Sequence, residues 1–177
     1  MFILYAIPIG IAIGYLLGGR LEALGAIGFR WAPLAIAGLL VQVLLFSGPV
    51  AAVVGSAGPP LYVASTAVVL IAVARNLRIP GMVLVLAGAT SNLLAIAANG
   101  GVMPAAPEAV AALGPPEDAG FSNSVVMTSP ALLPLTDVFA LPPWVPFANV
   151  FSVGDVLIGL GVVAVIALGM RAGDRAG

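Results

Sequence analysis

Five apolar runs dominate the chain, at about 2–18, 31–54, 61–74, 81–98 and 153–170, and only the last contains a charged residue, Asp155. Crossing about 30 Å of hydrocarbon takes roughly 20 apolar residues in a helix. The runs fit that length, with the third the shortest, reaching across only with Pro60 and Arg75 near its ends. Overall, 62% of the 177 residues are hydrophobic and 7% charged, and the mean hydropathy is +1.20. So few charges cannot cover the surface of a water-soluble fold. The expectation is an all-α polytopic transmembrane bundle of about five helices, one membrane domain over 1–177, placed in the cell membrane with lipid as its surroundings.

Charge placement predicts an orientation. Arg20 and Arg30 fall between the first two runs, Arg75 and Arg78 between the third and fourth, and Arg171 and Arg175 after the fifth. All lie on one side of a five-span chain, which the positive-inside rule makes cytoplasmic. The N-terminus is then outside, the C-terminus cytoplasmic, and the segment 99–151 an extracytoplasmic loop. The first run has no positive residue ahead of it and no small-x-small cleavage site after it, so it is expected to be retained.

The residue inventory excludes much chemistry. There is no Cys, His or Lys, which removes disulfides, thiol nucleophiles, the usual zinc sites and Ser-His-Asp catalysis. No metal or cofactor is expected. A net charge of −1 without a basic cluster offers no footprint for nucleic acid. Any reaction must run on carboxylates.

The outer loop carries nine of the 15 prolines, with Glu108, Glu117, Asp118 and Asp137. It cannot form a sixth helix, yet it is too apolar for a simple linker, so it is expected to cap the membrane surface. Trp144 and Phe147 suit the headgroup level. No internal repeat is visible. Gly10, Gly14 and Gly18 form a small-residue ladder for close helix packing. Gly88, Asn92, Ala95 and Asn99 line one face of the fourth helix, where the asparagines either bond between helices or orient an acidic site. Ser152 to Asp155 reads as a capping-box-like helix start, with Ser152 the N-cap. Asp137 stands 18 residues upstream of Asp155, and a fold-back of the intervening Pro-rich stretch would bring the two acids together. Two carboxylates a few Å apart share a proton, so one can activate water while the other protonates a leaving group. Capping a turn is the structural alternative for Asp137.

The stretch 135–161, LTDVFALPPWVPFANVFSVGDVLIGLG, resembles the C-terminal part of prolipoprotein signal peptidase, the aspartic signal peptidase II. Thr136, Asp137, Val138 and Phe139 look like that family's V-V-D-F segment, and Phe151 to Asp155 like its F-N-x-A-D segment, each of which supplies one catalytic Asp. Gly88 to Leu94 resemble its G-A-L-G-N-L-I stretch. The Asp-Arg that follows in the family is Ala95 and Ile96 here, the Asn of F-N-x-A-D is Ser152, and Asn149 lies nearby out of register. The family's Asn-x-Gly element has no counterpart, and this chain has an extra N-terminal helix. As a whole, with 99–104 and 149–155, the chain looks most like an uncharacterised bacterial family of small multi-pass membrane proteins with a domain of unknown function.

Three readings stay open. The chain is a non-catalytic scaffold or partner-binding module, or an aspartyl membrane peptidase. As the latter it would use Asp137 and Asp155 on a transmembrane or signal-like peptide segment, with Asn92, Asn99, Asn149 and Ser152 as binding or orienting residues. A small transporter or channel is the third, with Gln42, Ser65, Thr66, Asn92 and Asp155 along a polar path. Whether it is an enzyme, and its oligomeric state, are open at this stage.

Overall fold

A computed structural model describes residues 2–114 and 124–172; the acids Glu117 and Asp118 and the terminal Arg175 lie outside the described residues. The fold is mostly helical. Helix α1 spans Ala6–Leu16, α2 Ala32–Leu45, α3 Gly48–Val54, α4 Gly58–Ala74, α5 Met82–Ala98, α6 Pro107–Ala111 and α7 Val153–Ala172. Prolines 33, 59, 60 and 107 sit in the first turns of α2, α4 and α6, where no backbone N–H partner is lost. Two helical stretches, Gly48–Ala74 and Val153–Arg171, are long and apolar enough to cross a membrane, and Phe2–Leu16, Ala32–Leu45 and Met82–Ala98 are shorter apolar helices.

The apolar run 31–54 is not one helix. It divides at Phe46–Ser47 into α2 and the short α3, because Pro49 has no N–H to continue the α2 ladder and the Ser47 hydroxyl donates to the Leu44 carbonyl, 2.7 Å away. Nor is the chain wholly α. Strand β1 (Met103–Ala105) pairs in parallel with β2 (Ser124–Val126), and β3 (Phe139–Ala140) pairs antiparallel with β4 (Val150–Phe151). The prolines that forbid a long helix in 99–151 leave room for these two- and three-residue pairings.

The long helices pack in the order α2, α4, α5, α7, α1. Gln42 bonds Thr66, and Phe46 packs edge-on against Tyr62, so α2 and α4 run antiparallel. A Cβ on Gly101, just after α5, would meet Pro59 at the start of α4, which makes that pair antiparallel as well. Gly81 faces Gly161 and Gly88 faces Gly154, so α5 and α7 are antiparallel. Gly10 and Gly14 of α1 face Ile166 and Met170, so α1 runs parallel to α7. Gly18, the third glycine of that ladder, instead ends the helix with φ 80 and meets nothing across the interface.

Alternating directions gather the arginine-bearing turns at one end and the strands at the other. At one end Arg20 N–H donates to the Met170 carbonyl, and the Arg75 guanidinium lies 4.7 Å from the centre of the Trp31 ring. The buried Asn76 side chain clasps both the N–H and the carbonyl of Arg30 at 2.7 and 2.8 Å. At the other end Leu45, Tyr62, Ala95, Ile96 and Met103 form a buried cluster under the strands.

Helices α5 and α7 approach closely. A Cβ on Gly88 would lie 2.3 Å from the Gly154 carbonyl, and one on Gly154 would lie 2.8 Å from the Gly88 carbonyl and 1.9 Å from Asn92 Oδ1. The two backbone clashes cannot be relieved without separating the helices. Gly154→Val or Gly88→Val is therefore expected to destabilise the fold by about 1–3 kcal/mol or more, measured by denaturant unfolding in detergent micelles. Gly25→Ala, where an added Cβ meets nothing within 4 Å, should unfold like the parent.

Candidate acid-pair site at the strand-rich end

The N-terminus of α7 is built by a reciprocal cap. Ser152 Oγ accepts from the Asp155 N–H at 3.0 Å, and Asp155 Oδ2 accepts from the Ser152 N–H at 3.1 Å. This is the capping-box arrangement with Asp in place of Glu, and it sets an anion against the positive end of the helix dipole. Asn92, reaching from α5 across Gly154, closes a ring. Its Nδ2 donates to Asp155 Oδ1 at 2.8 Å, and its Oδ1 accepts from Ser152 Oγ at 2.9 Å. Ser152 is fully buried, and each of its polar atoms in this ring has a partner, as burial demands.

Asp137 reaches the same region by way of the hairpin. Phe139 pairs with Phe151 and Ala140 with Val150. The ladder thus ends two residues from Asp137 on one strand and four from Asp155 on the other, where α7 begins. The backbone of Asp137 is held from the other side as well. Its N–H donates to the Pro104 carbonyl at 2.9 Å, and its carbonyl accepts from Ala106 N–H at 3.0 Å, forming a bridge beside β1. The side chain is 4% exposed and accepts from Ser124 Oγ at 2.5 Å.

Burial pushes the Asp137 carboxyl up; the Ser124 hydrogen bond partly opposes this, and the nearby Asp155 carboxylate adds to it, leaving Asp137 at about 6. Desolvation and a like charge both disfavour the ionised form. Asp137 thus holds its proton under conditions in which an ordinary carboxyl would not. The two acids differ in surroundings, since one is enclosed by strands and the other caps a helix.

The other residues singled out from the sequence are placed apart. Asn99 docks the loop onto the end of α5: its Nδ2 donates to the carbonyls of Ala95 and Ala131, and its Oδ1 accepts from Ala131 N–H. Asn149 donates to the Val150 carbonyl within the hairpin, and its Oδ1 is buried without a partner among the described residues. Gln42, Ser65 and Thr66 bond within the α2–α4 pair, whereas Asn92 and Asp155 belong to the α5–α7 pair. Ser124 was not legible as a site residue: it opens a short strand, and no spacing ties it to Asp137. No group of residues that could hold a metal ion occurs among the described residues.

A carboxyl whose folded-state value is raised from 3.8 to about 6 stabilises the fold fully below the unfolded value and loses that contribution as pH rises through about 6. The difference corresponds to about 3 kcal/mol. Wild-type stability relative to Asp137→Asn is expected to fall by about that much across this window, read from paired denaturant titrations at several pH values. A pH-independent difference would contradict the burial assigned to this side chain. Among known proteins, no curated protein and no solved structure matches the chain. Residues 26–167, from the turn before α2 into the later turns of α7, match a family model, and the chain belongs to that family, the Family of unknown function (DUF5317).

Proposed function

We propose that this protein is a five-span membrane protein whose Asp137 and Asp155 form an aspartic hydrolase site at the outer face, cleaving a transmembrane or signal-like peptide segment. The arginine-bearing end is cytoplasmic in this reading, and the strand-rich loop is outside. The observation that supports it is Asp137 itself, a buried carboxyl held at about 6 by desolvation and by the charge of Asp155, with the β3–β4 hairpin leading from its strand to the start of α7. Asp137 would hold the shared proton and donate it to the substrate carbonyl or leaving amine, while the ionised partner takes a proton from the attacking water. Asn92, bonded to Asp155 Oδ1, would fix which oxygen faces that water. The resemblance of 136–139 and 151–155 to the two aspartate segments of signal peptidase II supports the same assignment. The alternation of helix directions, with Arg20, Arg30 and Arg75 gathered at one end, supports the orientation.

A second reading is favoured by one observation. Asp155 is already bonded by Ser152 N–H and Asn92 Nδ2, as a purely structural cap would be, and the chain would then be a partner-binding scaffold.

The two readings separate on isosteric variants. Under the hydrolase reading Asp137→Asn and Asp155→Asn each lower cleavage of a membrane-embedded signal-like peptide by about 10²–10⁴-fold, with both variants still folded and Asp155→Asn unfolding near the parent's midpoint. Full cleavage by either variant would refute the acid pair. No cleavage by the parent, together with a large stability loss in Asp155→Asn, would favour the scaffold. The orientation has its own test, made simple by the absence of native cysteine. Cysteine at exposed Ala112 should react with an impermeant maleimide on intact cells, and cysteine at exposed Gly25 only after permeabilisation; the reverse pattern would invert the topology.

A further inference from the structure

The hairpin joining the two acids continues into a tip that their chemistry does not use. Residues 138–154 contain no charged side chain, and 142–147 read Pro-Pro-Trp-Val-Pro-Phe. The tip is framed by hydrogen bonds: Leu141 N–H to the Asn149 carbonyl, Val145 N–H to that of Pro142, and Ala148 N–H to that of Val145. The Tyr5 hydroxyl, just ahead of α1, donates to the Pro146 carbonyl. At its base the Phe151 ring stacks with those of Phe2 and Phe139, at centroid distances of 4.4 and 5.5 Å. On this frame Trp144 is 82% exposed and Phe147 73%, the latter with φ 56, a left-handed conformation that bulky residues seldom adopt.

A braced, uncharged tip that turns two large aromatic rings outward marks a surface to be covered. Its place says by what. Only the five residues 148–152 separate it from α7, one of the two stretches long and apolar enough to cross a membrane, so it stands near the level where that helix would leave the hydrocarbon. Indole rings favour the headgroup boundary, and a tip without charge incurs no ionic desolvation on entering it.

We propose that the 142–147 tip is an anchor in the outer leaflet, with Trp144 and Phe147 entering the headgroup–acyl boundary, so that the hairpin holds Asp137 and Asp155 at a fixed height over the bilayer. This rests on the reading that α7 spans the membrane, and not on catalysis. The chain has two tryptophans, Trp31 and Trp144, at opposite ends. Trp31→Phe and Trp144→Phe therefore give two single-tryptophan proteins, to be reconstituted in phosphatidylcholine vesicles brominated near the top of the acyl chains. The Trp144 signal is expected to be quenched at least as strongly as that of Trp31, and to be shielded from aqueous iodide. If Trp31 is quenched while Trp144 is reached by iodide and not by bromine, the anchor is wrong and the membrane reading stands. If neither is quenched by bromine, both fall. A Trp144 shielded from iodide but not quenched by lipid would mean that protein covers the tip, most simply a second copy, and would also overturn the anchor.

Discussion

The ring at the start of α7 depends on the contact in which α5 and α7 meet backbone to backbone at two glycines. At Gly88 and Gly154 each backbone occupies the space a Cβ would need on the other. That closeness lets Asn92 lie across Gly154 and reach both Ser152 and Asp155. A carboxamide with both ends engaged inside a helix pair resists sliding and rotation together, since either would leave buried polar atoms unpaired. Because α1 packs along the same helix from another side, α7 is the member on which the remaining geometry is referenced.

The loop supplies the second acid by a different kind of force. Asp137 is held through its backbone, between the β1 strand and the hairpin, so its side chain has little freedom to escape burial. Asp155 sits where a helix dipole and a backbone N–H both favour negative charge. The two carboxyls therefore sit in different surroundings, a difference that arises from secondary structure more than from any specialised side chain.

Much of this was legible in the sequence, and the reason is locality. The Ser152–Asp155 cap is a three-residue relation, the Gly88–Asn92–Ala95 face follows from helix periodicity, and the apolar runs mark the long helices. The division at 46–48 was also encoded, in Gly48 followed by Pro49, but was masked by apolar residues on both sides. The strands were not legible, since two- and three-residue segments of Met, Pro, Ala, Phe and Val carry no alternation to detect. Their existence depends on partners far along the chain, as do the Ser124 bond to Asp137 and the Asn76 clasp on Arg30. Gly18 shows the opposite error: it matches the ladder spacing but serves as a terminator, a distinction fixed by φ and not by periodicity.

The shortness of the β3–β4 ladder has a further consequence. A pairing of two residues cannot shift gradually, because moving it by one position turns every side chain to the opposite face, which would take Phe151 out of its stack with Phe139. The offset between the two strands is therefore not a continuous variable that thermal motion can tune. It is closer to a latch with one engaged position.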